Sequence, residues 1–80
     1  MKKFGQKEEA AELAYNAAIV HYNAKQHKTA VVVLRDLKQR FPNHKYILLI
    51  SRMLAQSLLE SDQLDDSQKE FEWLYKQYTE

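Results

Sequence analysis

One spaced pattern occurs twice in the chain. Ala30, Leu34, Leu37 and Phe41 stand four, three and four residues apart, and so do Ser67, Phe71, Leu74 and Tyr78, at an offset of 37. The same offset carries Ala18 to Ala55, His21 to Leu58 and Tyr22 to Leu59, and it lays LKQRF over LYKQY. Intervals of three and four mark one face of a helix. A repeat at such a period predicts helical hairpins, each burying its face on the next. A chain of 80 residues has room for two of them.

The run Val31-Val32-Val33 is where a strand competes with this reading. Alternation would need polar residues between the valines, and a buried strand would stop near Leu34. Instead a seam of Ala30, Val33, Leu34, Leu37 and Phe41 continues, with Arg35, Asp36, Lys38, Gln39 and Arg40 between its members. β-branching costs only a few tenths of a kcal/mol (roughly) per helical residue, which burial outweighs. The stretch is a helix, and Pro42 ends it, because the residue before a proline is pushed out of the helical region.

Three more helices are expected. The first runs from Glu8 to Asn23, with apolar residues at Ala10, Leu13, Ala14, Ala17 and Ala18. AKQH, residues 24–27, breaks it. The third runs from Lys45 or Tyr46 to Leu59, with a broad apolar face, and ESDQ follows as a turn. The fourth runs from Leu64 to Tyr78 with the seam Leu64, Ser67, Phe71, Leu74, Tyr78. Asp65 and Asp66 lie in its first turn, where carboxylates complement the helix dipole. At the repeat offset, Val31, Val32 and Val33 align with Gln68, Lys69 and Glu70, so the first unit is apolar at three places where the second is polar.

Composition agrees with this all-α reading: one glycine and one proline are too few for a many-turned sandwich or barrel. Without cysteine there is no disulfide framework and no thiolate chemistry. The start MKKFGQKEE has no apolar core of a signal peptide, and no apolar run approaches the ~18 residues of a membrane span. The expected compartment is the cytoplasm, unless the chain is a fragment of a larger protein, such as one of the envelope. The expected architecture is a single domain, 1–80, of two antiparallel hairpins, repeat 1 at about 8–43 and repeat 2 at about 45–79.

These residues resemble the tetratricopeptide repeats, whose unit is about 34 residues long. Ala17/Ala18, Ala30, Leu34 and Pro42 take the family's small, small, bulky and closing-proline places in the first unit; Ala55, Ser67 and Phe71 do so in the second. The chain departs from the pattern at Ala14 (usually tryptophan), at Lys25 and Asp62 (the inter-helix glycine) and at Thr79 (the second proline). The junction RFPN-x-x-Y resembles repeats of bacterial envelope-assembly proteins. The resemblance implies a short, right-handed stack with a groove lined by the first helix of each hairpin. Carried over, the groove holds Glu12, Tyr15, Ile19, Tyr22 and Asn23, then Leu49, Arg52, Gln56, Leu59 and Glu60. Such a mostly apolar groove suits an amphipathic helix or an extended segment of another protein.

No enzyme signature stands out, and no cofactor or metal is expected. His21, His27 and His44 have no shared ligand spacing and no placed carboxylate, so a packed His21 and two surface histidines are expected. Residues 1–52 carry ten Lys/Arg against four acids, a net +6, and residues 53–80 carry two against seven, a net −5. That asymmetry can orient association with a charged partner or another copy. Lys28, Arg35 and Lys38 share a face of the second helix, which makes a small nucleic-acid-binding or regulatory factor the alternative function. Repeat arrays usually need about three units to bury a continuous core. Two units predict exposed apolar surface and self-association, here through Val32, Trp73, Tyr75 and Tyr78. A two-fold dimer is the simplest geometry, and a head-to-tail oligomer the second.

Overall fold

Good helix formers fill every segment between the polar links, and four helices form. The computed structural model describes residues 6–79; Lys2, Lys3 and Gly5 lie outside them. In order these are α1 (Gln6–Asn23), α2 (His27–Arg40), α3 (Ile47–Glu60) and α4 (Leu64–Thr79), with no strand among the described residues. The valine run is helical throughout. Phe41, next to Pro42, leaves the helical region at φ −130°, ψ 66°, while its N–H still bonds the Leu37 carbonyl. His27, expected in the turn, is instead the first residue of α2. No helix among the described residues is long and apolar enough to cross a membrane.

The two hairpin turns are built alike. Lys25 and Asp62, which stand 37 residues apart, adopt left-handed backbone at φ 62° and 64°. Around the first, Gln26 N–H donates to the His21 carbonyl at 3.0 Å and Lys25 N–H to Tyr22 at 3.1 Å. Around the second, Gln63 N–H donates to Leu58 at 2.9 Å and Asp62 N–H to Leu59 at 3.1 Å. Each is a Schellman ending, which satisfies the last carbonyls of a helix and reverses the chain. The next helix starts at once: Gln26 and Gln63 accept from the N–H of Ala30 and Ser67.

Packing follows chain order, α1 on α2, α2 on α3 and α3 on α4, and α1 also touches α3. These are stacked helical hairpins in a slab of 45 × 32 × 16 Å, about two helices deep. Ala18, Ala30, Val31, Leu34, Leu37, Ile50, Met53, Leu54 and Leu58 form the main core. Small residues sit where helices approach most closely. Ala18, Ala30 and Ala55 are fully buried, and the buried Ser67 hydroxyl donates to the Ala55 carbonyl at 2.9 Å.

Two seams differ from expectation. On α2 the fully buried valine is Val31 and not Val33, which is half-buried; Val32 is 67% exposed. Val31 and Val33 lie on opposite flanks of the seam at about 100° per residue, and only Val31 is enclosed by the core. Of the expected α4 seam only Ser67 and Leu74 are buried, while Leu64, Phe71 and Tyr78 are exposed. Among the described residues no helix packs on that side of α4 as α3 packs on α2.

Glycine at either turn should stabilise the fold. A non-glycine residue in the left-handed region costs roughly 1–2 kcal/mol, of which glycine returns part through its greater unfolded-state freedom. Lys25→Gly and Asp62→Gly should each add about 0.5–1 kcal/mol, or a few degrees in Tm for a domain this small. Thermal unfolding checks this. No gain at either site would mean that the turns carry no strain.

Candidate functional site

α2 and α4 are joined by long side chains across the gap between them. Lys38 pairs with Glu70, both largely buried, and its Nζ lies 3.7 Å from the centre of the Trp73 ring. Arg35 reaches Asp66 at 3.6 Å, and Arg40 reaches Asp36 on its own helix at 3.2 Å. The acidic second half of the chain thus neutralises part of the basic first half within one molecule. Of the basic face expected on α2, Arg35 and Lys38 are paired with carboxylates of α4, whereas Lys28 has no such partner among the described residues, and Trp73 is half-buried beneath Lys38 instead of standing free.

The residues expected to line a groove lie on α1 and α3, two helices that touch. On α1, Tyr15, Ile19 and Tyr22 are half-buried against the core, while Glu12 and Asn23 are exposed. On α3, Leu49, Arg52 and Leu59 are exposed, and Gln56 bonds Glu60 at 3.0 Å. Tyr15 also meets two residues that the sequence did not associate with it. Its ring stacks on Tyr46 at 5.2 Å between centroids and lies 5.4 Å from His44. Burial first, then the neighbouring Tyr46 and Glu12, push the Tyr15 phenol above its ordinary value. His44, expected on the surface, is half-buried, and its Nδ1 accepts the Tyr46 N–H at 3.0 Å, closing the turn after Pro42.

The remaining histidines stand apart. His21 Nδ1 meets Gln26 Oε1 at 2.6 Å, and His27 Nδ1 is buried without a hydrogen-bond partner. No cluster of three His, Asp or Glu side chains among the described residues could hold a metal ion.

The apolar surface lies mostly on the two outer helices. On α4, Leu64, Phe71, Tyr75 and Tyr78 form an exposed stripe, and Gln68, Phe71, Glu72, Tyr75 and Lys76 line a shallow depression along it. On α1, Leu13 and Val20 are exposed with Ala17 between them. Helical spacing alone groups Leu13 and Ala17 with Ala10, Ala14 and Ala18 and does not separate this outward stripe from the core face. Its signal was the repeat itself, because the offset assigns Leu13, Ala17 and Val20 to the buried Ile50, Leu54 and Ser57 of α3. Val32 is exposed as expected, but on α2, away from both stripes.

Compared with family models, curated proteins and solved structures, the chain matches none of the three.

The Lys38 bridge has a direct readout, because Trp73 is the sole tryptophan. Lys38→Ala removes an ion pair and a cation–π contact, together worth about 1–2 kcal/mol. The variant should unfold at lower denaturant, with Trp73 emission shifted to the red in the folded state. Unchanged emission and stability would show that the bridge does not hold α4.

Proposed function

We propose that the chain is a non-catalytic protein–protein interaction module, a small scaffold that works through its helical faces. The observation that carries this reading is the exposure of large apolar side chains in continuous stripes. Leu13 and Val20 on α1 are 69% and 64% exposed, and Tyr75 and Tyr78 on α4 are 69% and 68% exposed. Contiguous apolar surface rimmed by charge marks association, whereas scattered single residues do not. Tyr15 and Tyr22 on α1, with exposed Leu49, Arg52 and Leu59 on α3, offer a second face for a partner segment.

A tetratricopeptide-like identity belongs to the same proposal. It is supported by left-handed turns at the two places where that family usually has glycine, and by small residues at the two close approaches. The alternative, nucleic-acid binding by α2, has weaker support, because Arg35 and Lys38 are engaged by α4.

Site-specific photo-crosslinking separates the two classes. A photoreactive residue at position 59 probes the groove, one at 75 probes the α4 stripe, and one at 28 probes the basic face. The expected result is protein adducts at 59 or 75 that resist nuclease and survive added salt. Adducts only at 28, containing nucleic acid and lost steeply as salt rises, would overturn the proposal.

A further inference from the structure

The two hairpins differ in exposure in a systematic way. Leu13, Ala17 and Val20 of α1 are exposed, while their repeat equivalents Ile50, Leu54 and Ser57 of α3 are 0%, 2% and 0% exposed. Ile50 and Leu54 share the main core with Ala18, Ala30, Val31 and Leu34 of the preceding hairpin. On α4, Phe71 is 39% exposed while its equivalent Leu34 is fully buried. Leu34 shares that core with Ile50, Met53, Leu54 and Leu58 of the following hairpin. The outer faces of α1 and α4 therefore correspond to the two halves of the α2–α3 interface, with Leu13, Ala17 and Val20 on one and Phe71 and Tyr75 on the other, and with exposed Asn16 and Gln68 where Met53 and Val31 are buried.

Resting on the interaction-module reading, we infer that the partner is a second copy of this chain, added head to tail. α4 of one copy packs on α1 of the next, as α2 packs on α3 within each copy.

Differences between the repeats are complementary across that junction. Leu34 and Leu54, which share the core, become Phe71 and Ala17 at the open ends, so one side grows where the other shrinks. Volume-conserving exchange of this kind preserves packing. The bridge between α2 and α4 changes in the same sense. Its Lys38 becomes Tyr75, and its acceptor Glu70 becomes the half-buried Val33, so an ion pair within the chain becomes an apolar contact between copies. A further difference is Arg35, paired with Asp66, which becomes Glu72 aligned with Thr29, with Lys28 beside it in sequence. A lone lysine facing valine would be a desolvated charge without a partner, and the sequence avoids it. Such a contact is heterologous and adds copies without a two-fold axis.

Two exposed-site variants test this in analytical ultracentrifugation. Leu13→Glu blocks the α1 face and Tyr75→Glu blocks the α4 face, with Val20→Glu and Tyr78→Glu as replacements should either lose helicity by circular dichroism. The wild type should grow in mass with concentration. Each variant alone should stay at the 9.5 kDa monomer mass. Their equimolar mixture should reach twice that mass and go no further, because one intact face of each kind remains. If Leu13→Glu dimerises by itself while Tyr75→Glu does not, and the mixture gains nothing, α4 pairs with α4 and the inference fails. A wild type that stays monomeric at high concentration also overturns it. Crosslinks at position 59 to a different protein would leave the interaction-module reading intact in either case.

Discussion

The Ser67 hydroxyl donates to the Ala55 carbonyl at 2.9 Å, so the backbones of α3 and α4 come within the reach of one small side chain. Most of the architecture depends on that closeness. Ala18 and Ala30 take the matching places in the first hairpin, both fully buried. A longer side chain at any of the four would push its helices apart and open the layer, at a cost of about 1–3 kcal/mol for overpacking. Left-handed turns at Lys25 and Asp62 deliver the helices to this approach in the same geometry twice.

Close approach within each hairpin has a consequence for the outer helices. α4 is held by Ser67, Leu74 and the Lys38 bridge, and among the described residues none of its side chains joins the main core cluster. One flank of the helix is thereby satisfied and the other is left apolar and open. α1 is in the mirror situation, with Ala18 buried and Leu13 and Val20 outside. Charges are paired along the α2–α4 seam, and large apolar side chains stand exposed on the outer faces of α1 and α4.

The helices, the turns and the small-residue contacts were legible because each depends on local chemistry. Pro42 stops α2, and the intervals of three and four locate each seam. Lys25 and Asp62 stood out as places where glycine was expected, and both proved left-handed. What was not legible depends on neighbours. Periodicity centres a stripe but does not say which flank the next helix covers, so Val33 was assigned to a core place that Val31 takes. Trp73 was assigned to an open surface because nothing in spacing alone says that Lys38 reaches across from α2. His44 and Tyr46 joined Tyr15 through the geometry of the turn, which pattern reading does not resolve. Helical spacing placed the expected groove residues on α1 and α3, but exposure among them is uneven, with Tyr15, Ile19 and Tyr22 half-buried and Leu49, Arg52 and Leu59 exposed.

The central claim is that the two apolar ends are one interface divided between copies. Its most direct measurement uses single cysteines in a chain that has none of its own. Counting the register of α2 on α3 forward by one repeat sets Phe71 of one copy against Ala17 of the next. Ala17→Cys and Phe71→Cys, mixed under mild oxidation, should give a covalent dimer joining 17 to 71, identified by peptide mass. Dimers joining 71 to 71, or no 17–71 product at concentrations where the chain associates, would contradict it.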